Sequence, residues 1–197
     1  QGIYETFDAE APDRGLEIVA AEAFTADSKT DFKTQIQKMK DAGAELVFLP
    51  FYYTEASLVL QQAKELDYAP IFFGCDGMDG ILSLDGFDTS LAEGLLLLTP
   101  FAADADDELT RNFVKAYDDA YGEIPIQFAA DGYDAVYILK AAAEKAGSTS
   151  GEAMAKAMLE LKVDGVTGTM TWTADGNTQK SALAIIYKNG EGSIFGQ

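Results

Sequence analysis

Two runs, Leu46-Val-Phe-Leu-Pro50 and Pro70-Ile-Phe-Phe-Gly74, are short and almost wholly apolar, as strands buried in a parallel sheet are. Between them, apolar side chains recur at the spacing of one helix face, at Ala56, Val59, Leu60, Ala63 and Leu66. A strand, a helix and a second strand in this order are typical of a βαβ unit, whose two strands run in the same direction. The sequence therefore predicts an α/β fold with a doubly wound parallel sheet that needs helices on both faces.

Chemically distinctive residues follow both runs directly. Tyr52 and Tyr53 come after the first run, and Asp76 comes after the second. Because the carboxyl ends of parallel strands meet at one edge of a sheet, these side chains are expected to lie near one another, where such sheets bind ligands. A carboxylate accepts charge-assisted hydrogen bonds from an ammonium group, and aromatic faces attract cations. The pattern predicts a cationic ligand, while surface tyrosines beside an ordinary loop aspartate are the alternative interpretation.

The same alternation of strand and helix extends along the first half of the chain. Ile3 and Phe7 have helical spacing, and Leu16–Ala20 has the composition of a strand. The later predicted elements are a helix at Phe32–Ala42, a strand at 94–100, helices at 106–121, 129–146 and 152–161, and strands at 168–173, 181–187 and 193–195. The change of pattern near Pro100 predicts a boundary there.

Composition excludes several classes of function. The chain has 197 residues and a formal charge of −19, which argues against nucleic acid or an anionic lipid surface as a partner. It contains no histidine, which removes histidine-based catalytic triads and metal sites. The acidic stretch Asp104–Glu108 lacks the glycine and the distal glutamate of a calcium-binding loop and suits the start of a helix. We therefore expect no metal and no cofactor.

Three further features of the loop after the second run have ordinary structural explanations. Its glycines match neither the dinucleotide nor the P-loop pattern, so phosphate binding is not expected. Asp76 and Asp79 are three residues apart, a spacing that fixes no geometry for a pair of catalytic acids. Cys75 is the single cysteine of the chain, so it has no partner for an internal disulfide, and a buried position at a strand end explains it.

Several motifs, taken in order, resemble one known family. They are Asp31-Phe-Lys-Thr-Gln-Ile-Gln-Lys-Met-Lys, Leu46-Val-Phe-Leu-Pro-Phe-Tyr-Tyr-Thr-Glu-Ala, Gln61-Gln-Ala-Lys-Glu-Leu, Phe73-Gly-Cys-Asp-Gly, Ala92-Glu-Gly and Gly132-Tyr-Asp-Ala-Val. Together they resemble the leucine/isoleucine/valine-type amino-acid-binding proteins of ABC transporters, which have the type 1 periplasmic binding-protein fold. The resemblance covers nearly the whole chain.

The resemblance implies roles for individual residues. Tyr52 matches the family tyrosine after its strand, and Asp76 matches the acidic residue that holds the α-ammonium group of the ligand. Aspartate stands here where some members have glutamate, and the shorter side chain leaves the preferred ligand open. Phe128 is implied as a candidate contact to the ligand side chain, with a core aromatic as its alternative. Tyr53 remains a candidate from its position alone.

The resemblance also implies a domain organisation. Residues 1–99 would form most of the C-terminal lobe, residues 100–178 would return to the N-terminal lobe, and residues 179–197 would pass back through the hinge. On this reading the chain is N-terminally truncated and contains one parallel lobe with part of a second. Exposed apolar surface, a complementary chain or self-association is then expected.

The function that follows is that of a solute-binding component of an ABC importer, extracytoplasmic and either periplasmic or lipid-anchored. It would bind an amino acid, branched-chain or a similar small polar metabolite, in a cleft between lobes that closes by a hinge, and deliver it to a permease. No enzymatic activity is expected. The alternatives are the ligand-sensing domain of a receptor or regulator, and an α/β enzyme of flavodoxin-like or hydrolase type.

Overall fold

The structure is a computed structural model that describes residues 2–196. The chain divides into two compact units. The first unit contains the residues through Leu98 together with Ile185–Ser193, and the second contains Thr99–Ala184 with the residues from Ile194 onward. The assignment of these units to the two lobes of a binding protein stays a prediction.

Helices and strands alternate along the chain in the first unit, whereas in the second unit three helices come before three strands. The helices are α1 Gly2–Glu10, α2 Lys33–Asp41, α3 Tyr53–Glu65, α4 Glu108–Tyr121, α5 Gln127–Ala146 and α6 Gly151–Met158. The strands are β1 Leu46–Leu49, β2 Ile71–Gly74, β3 Leu96–Thr99, β4 Val163–Gly165, β5 Gly168–Trp172, β6 Thr178–Gln179, β7 Leu183–Lys188 and β8 Glu191–Ile194. Short 3₁₀ turns fill several of the connections.

The first unit is built on a five-stranded sheet in the order β1-β2-β3-β7-β8. Its first three strands are parallel, as the sequence predicts, and Leu46 of β1 pairs with Ile71 of β2. Side chains alternate between the two faces of the sheet, so Val47 is buried on one face and Phe48 lies on the other. The ring of Phe7 from α1 stacks on the ring of Phe48, with centroids 4.6 Å apart. The predicted α/β class is confirmed.

The strands β7 and β8 form a hairpin that completes this sheet. Asn189 and Gly190 connect them, and both have positive φ, at 53° and 79°. Positive φ at both central residues is the backbone of a type I′ turn, which Asn-Gly adopts readily because neither residue is strongly penalised there. The strands predicted at 181–187 and 193–195 are thus joined as a hairpin.

One strand prediction was wrong. Leu16–Ala20 forms no ladder with any described strand, and the side chains of Leu16 and Val19 are 46% and 45% exposed. A run of β-forming residues becomes a strand only where a neighbour supplies hydrogen bonds, and β1 pairs with β2 alone. The chain is instead anchored four residues beyond this segment, where the ring of Phe24 packs edge-on against Phe32 and Phe51.

The second unit packs three helices with a three-stranded sheet in the order β4-β5-β6. Its core contains Phe101, Phe113, Ala130 and Val166. The sequence predicts the three helices and β5 but misses β4 and β6, which have three and two residues and are too short to show a period. At the start of α4 the Asp107 carboxylate accepts a hydrogen bond from the Thr110 N–H, which gives part of the acidic stretch a structural role.

Tyr187 in β7 supplies a stability prediction. Its side chain is buried, and its hydroxyl donates to Asp79 at 3.4 Å. Burial, and then the Asp79 charge and hydrogen bond, raises the pKa of Tyr187 far above its ordinary value. The unfolded phenol ionises near pH 10, so the stability conferred by Tyr187 is complete below that pH and is lost above it, by about 1.4 kcal/mol per pH unit.

We therefore expect the free energy of unfolding, measured in urea, to fall between about pH 8.5 and 11. The fall should be steeper for the natural protein than for Tyr187→Phe. The difference at pH 11 should be about 1.4 kcal/mol. Tyr121→Phe is the matched control, because that ring is 70% exposed. Equal slopes for Tyr187→Phe and the natural protein would show that Tyr187 titrates normally in the folded state.

Candidate functional site

The first part of the candidate site is the connection from β1 to α3. After β1 ends at Leu49, Tyr52 has extended backbone and is the N-cap residue of α3, which begins at Tyr53. The Tyr52 side chain is 63% exposed, while that of Tyr53 is half-buried. The helix start thus turns one aromatic ring toward solvent at the carboxyl edge of the sheet.

The second part is the connection that leaves β2. The strand ends at Gly74, and Asp76 begins a 3₁₀ turn that includes Gly77 and Met78. The Asp76 side chain is exposed, and one of its oxygens, Oδ1, accepts a hydrogen bond from the Gly77 N–H at 2.9 Å. This bond orients the carboxylate at the start of the turn.

The two connections touch at Gly77. A methyl group on Gly77 would lie 3.1 Å from the carbonyl oxygen of Phe51 and 3.3 Å from Cδ1 of Tyr52. The strand register explains this approach, because Leu49 pairs with Gly74 and both strands end at the same level. The structure therefore brings Tyr52 against the turn that begins with Asp76, as the strand ends predict. We refer to Tyr52, Tyr53, Asp76 and Gly77 as the rim.

The turn behind the rim is packed firmly. Met78 and Ile81 have no exposed surface, and the Met78 sulfur lies so close to Gly74 that any side chain at position 74 would displace it. A tightly packed support of this kind holds the residues above it in one geometry. The Asp76 backbone is therefore placed by the core of the first unit.

Asp79 has a different role from Asp76. Its Oδ1 accepts from the Gly80 N–H at 3.0 Å and from the Tyr187 hydroxyl at 3.4 Å. These contacts join the end of the turn to β7. The arrangement supports the structural interpretation of Asp79 over a paired acid and base with Asp76.

Cys75 lies between the end of β2 and Asp76. Burial raises the pKa of its thiol; the Gly77 N–H opposes burial less strongly, and the neighbouring Asp76 charge adds a smaller increase. A thiol with a raised pKa stays protonated near neutral pH and is a poor nucleophile. Its half-buried position agrees with a structural role.

Phe128 lies in the second unit, where it is the second residue of α5 and 40% exposed. The structure thus brings Tyr52 against the turn that begins with Asp76, with Tyr53 next to Tyr52 in the chain, and the ligand-binding roles of Tyr52, Tyr53, Asp76 and Phe128 all stay predictions. Gly77 had no assigned role in the sequence, although a glycine directly after a strand-end carboxylate is a signal of close backbone approach.

A shallow cavity of about 300 Å³ lies elsewhere in the first unit. It is lined by residues from the last turns of α3 and the loop before β3, including Gln61, Lys64 and Phe87. Parallel α/β sheets bind ligands at the opposite, carboxyl end of their strands. The rim, with its exposed ring and carboxylate, is the better candidate on chemical grounds.

Residues 2–196 show neither a metal site nor a membrane-spanning helix. Over that range the His, Cys, Asp and Glu side chains form no group of three placed to hold a metal ion. None of the helices described is both long and apolar enough to cross a membrane.

Comparison with known proteins places the chain in a family. Residues 1–191 match the family model described as periplasmic binding protein. The chain is 27% identical, over 94% of its length, to the leucine-, isoleucine-, valine-, threonine- and alanine-binding protein of Pseudomonas aeruginosa, of which it covers 49%. It is 28% identical to the Leu/Ile/Val-binding protein homolog 3 of Brucella melitensis, of which it covers 52%.

Solved structures agree with this match. The leucine-binding protein LivK of Thermotoga maritima is 26% identical with a TM-score of 0.84, covering 98% of this chain and 55% of that one. The branched-chain amino acid binding protein LivJ of Streptococcus pneumoniae, solved with isoleucine, is 28% identical with a TM-score of 0.78, covering 97% of this chain and 56% of that one.

The chain belongs to the periplasmic binding protein family. The resemblance noted in the sequence and the type 1 fold are thereby confirmed. The chain spans about half the length of the relatives that it matches.

Proposed function

We propose that this protein is the solute-binding component of an ABC importer and that its rim holds the ammonium group of an amino acid. The observation that supports this most directly is the contact of Tyr52 with the turn that begins at Asp76, in a chain of this family. Asp76 would accept hydrogen bonds from the ammonium group, and the Tyr52 ring would add cation–π attraction.

The proposed ligand is an amino acid, branched-chain or a similar small polar metabolite. Relatives from several organisms are named for leucine, isoleucine and valine, and one neighbour was solved with isoleucine. Because aspartate is shorter than glutamate, the ammonium group would be drawn close to the end of β2, which limits the room for the rest of the ligand. The rim would form one side of the ligand-binding cleft.

The proposed setting is extracytoplasmic, with an ABC permease as the protein partner. Family membership supports both statements. Binding without catalysis is proposed because the chain contains no histidine, Cys75 is held as a thiol and Asp79 is engaged in internal hydrogen bonds. Association with a complementary chain or with a second copy stays a prediction for the isolated segment.

A thermal-shift screen of the full-length protein tests the proposal. The probes are the common L-amino acids, their amides, and sugars and carboxylic acids without an amino group. A ligand at 100 times its dissociation constant stabilises the folded form by about 2.7 kcal/mol, which is readily detected as a rise in melting temperature. We expect a response to one or more aliphatic amino acids.

The decarboxylated and deaminated analogues of the best ligand form the matched control. Loss of the amino group should abolish the shift, because Asp76 would then face no cation. A response to sugars or simple carboxylic acids with silence across amino acids would overturn the proposed ligand class. Release of altered ligand into solution would show an enzyme instead.

A further inference from the structure

Within residues 2–196 the backbone passes between the two units at three places. The passages follow Leu98, Ala184 and Ser193, at the end of β3 and within β7 and β8. These three strands are neighbours in the sheet, in the order β3-β7-β8. The described passages therefore lie on adjacent strands of one sheet.

A set of side-chain hydrogen bonds begins at the first passage. Thr99, the last residue of β3, donates from its hydroxyl to Oε1 of Gln127 at 2.8 Å. Nε2 of Gln127 in turn donates to Oδ2 of Asp131 at 3.0 Å, one turn further along α5. Thr99 and Gln127 are each only 2% exposed. The amide orientation of Gln127 is fixed because its oxygen accepts and its nitrogen donates.

The same set continues to the second passage through a lysine. Lys180, which lies four residues before the passage at Ala184, places Nζ 3.2 Å from Oδ1 of Asp131 and 3.4 Å from Oγ1 of Thr167. The Thr167 hydroxyl donates to the buried carboxylate of Asp134 at 2.6 Å. Each donor in this series meets an acceptor, so the polar groups are satisfied as one network.

The third passage is joined to the second by the backbone. The Phe195 N–H donates to the carbonyl oxygen of Ala184 at 2.7 Å. The side-chain network runs from Thr99 at the first passage to Lys180, four residues before the second, and the separate Phe195–Ala184 bond joins the second passage to the third; every one of these contacts lies inside the second unit. We call Thr99, Gln127, Asp131, Lys180 and Thr167 the brace.

We propose that Gln127, Asp131 and Lys180 are positioning residues that hold the passages between the units in register through the brace. They act on ligand binding only by limiting the arrangements that the ligand-free protein samples. Satisfied polar networks favour one geometry, and removing one member releases its neighbours; here the Thr99–Gln127 part is buried and the Asp131–Lys180 part is open to solvent. The brace therefore lowers the conformational cost of binding. Its effect on affinity rests on the function proposed above. Its effect on the ligand-free protein does not depend on that function.

The test measures distances between the units in the ligand-free protein by double electron–electron resonance. Spin labels are placed at Ser83→Cys and Thr149→Cys, both exposed and one in each unit, in a Cys75→Ser background. We expect Lys180→Met and Gln127→Leu to broaden the distance distribution. Lys180→Arg keeps a cation with several donors and should restore the natural width.

Lys145→Met is the matched control. Lys145 pairs with Glu160 at 3.2 Å, the same distance as the Lys180–Asp131 pair, and it lies in the same unit away from the passages. This variant should leave the distribution unchanged. Thermal melts of all variants distinguish a loosened connection from an unfolded unit, because the brace variants should retain a single cooperative transition.

Ligand binding supplies a second measurement, made by calorimetry on unlabelled variants of the full-length protein. Lys180→Met should weaken binding by about 2- to 30-fold, the range found for residues that modulate coupling without touching ligand. An unchanged distance distribution in both brace variants, or equal broadening in Lys145→Met, would overturn the proposal. If the natural protein binds no amino acid, the proposed function fails while the distance measurement still decides the role of the brace.

Discussion

Replacing Asp134 with alanine is expected to lower the free energy of unfolding of the second unit by about 3 to 5 kcal/mol, because two buried N–H donors are left unpaired. The Asp134 carboxylate is 2% exposed and accepts three hydrogen bonds, from the Val166 N–H at 2.9 Å, the Thr167 N–H at 2.8 Å and the Thr167 hydroxyl at 2.6 Å. Hydrogen bonds to a charged group contribute about 1.5 to 3 kcal/mol each, and their buried donors cost energy when left unpaired.

The position of Asp134 explains why, in the alanine variant, water is not expected to replace all the hydrogen bonds that its carboxylate accepts. The carboxylate projects from α5 into the turn between β4 and β5, where a methyl group on Gly165 would lie 2.4 Å from one of its oxygens. The turn therefore packs directly against the Asp134 carboxylate and leaves no space for a larger residue at position 165. Its removal leaves two adjacent N–H groups without an acceptor and opens a gap in a packed region.

Urea unfolding followed by fluorescence of Trp172 measures the effect, since the single tryptophan lies in β5, next to the affected turn. Asp164→Ala is the control, because Asp164 accepts from Thr169 at 2.6 Å in the same hairpin but is exposed. We expect that variant to lose less than about 1 kcal/mol. Similar losses in the two variants would refute the special role of the buried carboxylate.

Replacing Asp76 with alanine in the full-length protein is expected to weaken amino acid binding by about 2 to 5 kcal/mol, or about 30- to 5,000-fold in the dissociation constant. The ligand's ammonium group would lose its counter-charge at the moment when binding removes its water. Most of the loss should appear as faster dissociation, since short-range contacts govern that rate. The size of the loss reports how completely bound ligand shields the carboxylate.

Two variants make the result specific. Asp76→Asn keeps the shape and the hydrogen bond acceptor but removes the charge, so it should also weaken binding. Asp85→Ala removes a charge from an exposed loop of the same unit and should leave affinity unchanged. Calorimetry that finds natural affinity in Asp76→Ala would remove Asp76 from the ligand site, and equal loss in Asp85→Ala would reduce its effect to long-range charge.

The rim was predictable from the sequence because its determinants are local. Two apolar runs with a helix between them define parallel strands, and parallel strands bring their carboxyl ends together. Tyr52 and Asp76 directly follow those ends, so their proximity needed no knowledge of distant contacts. The Asn189–Gly190 turn was predictable for the same reason, since the dipeptide itself fixes the backbone.

Features that depend on distant partners were not predictable in this way. Leu16–Ala20 has strand composition, yet whether it pairs depends on a neighbour that its own residues do not specify. The brace joins Thr99 to Gln127 and Lys180 to Asp131 across 28 and 49 positions of sequence. Single polar residues of ordinary type give no periodic signal, so only the folded chain reveals that they form one network.

Cys75 offers a single, half-buried attachment point for a reporter of the function proposed above. The chain has one thiol, and it precedes the proposed ammonium-binding carboxylate by a single residue. A dye attached there would be unique in position and, under the function proposed above, would report changes in polarity at the rim when ligand binds. Because the pKa of the thiol is raised, coupling should be slow near neutrality and should accelerate under alkaline conditions.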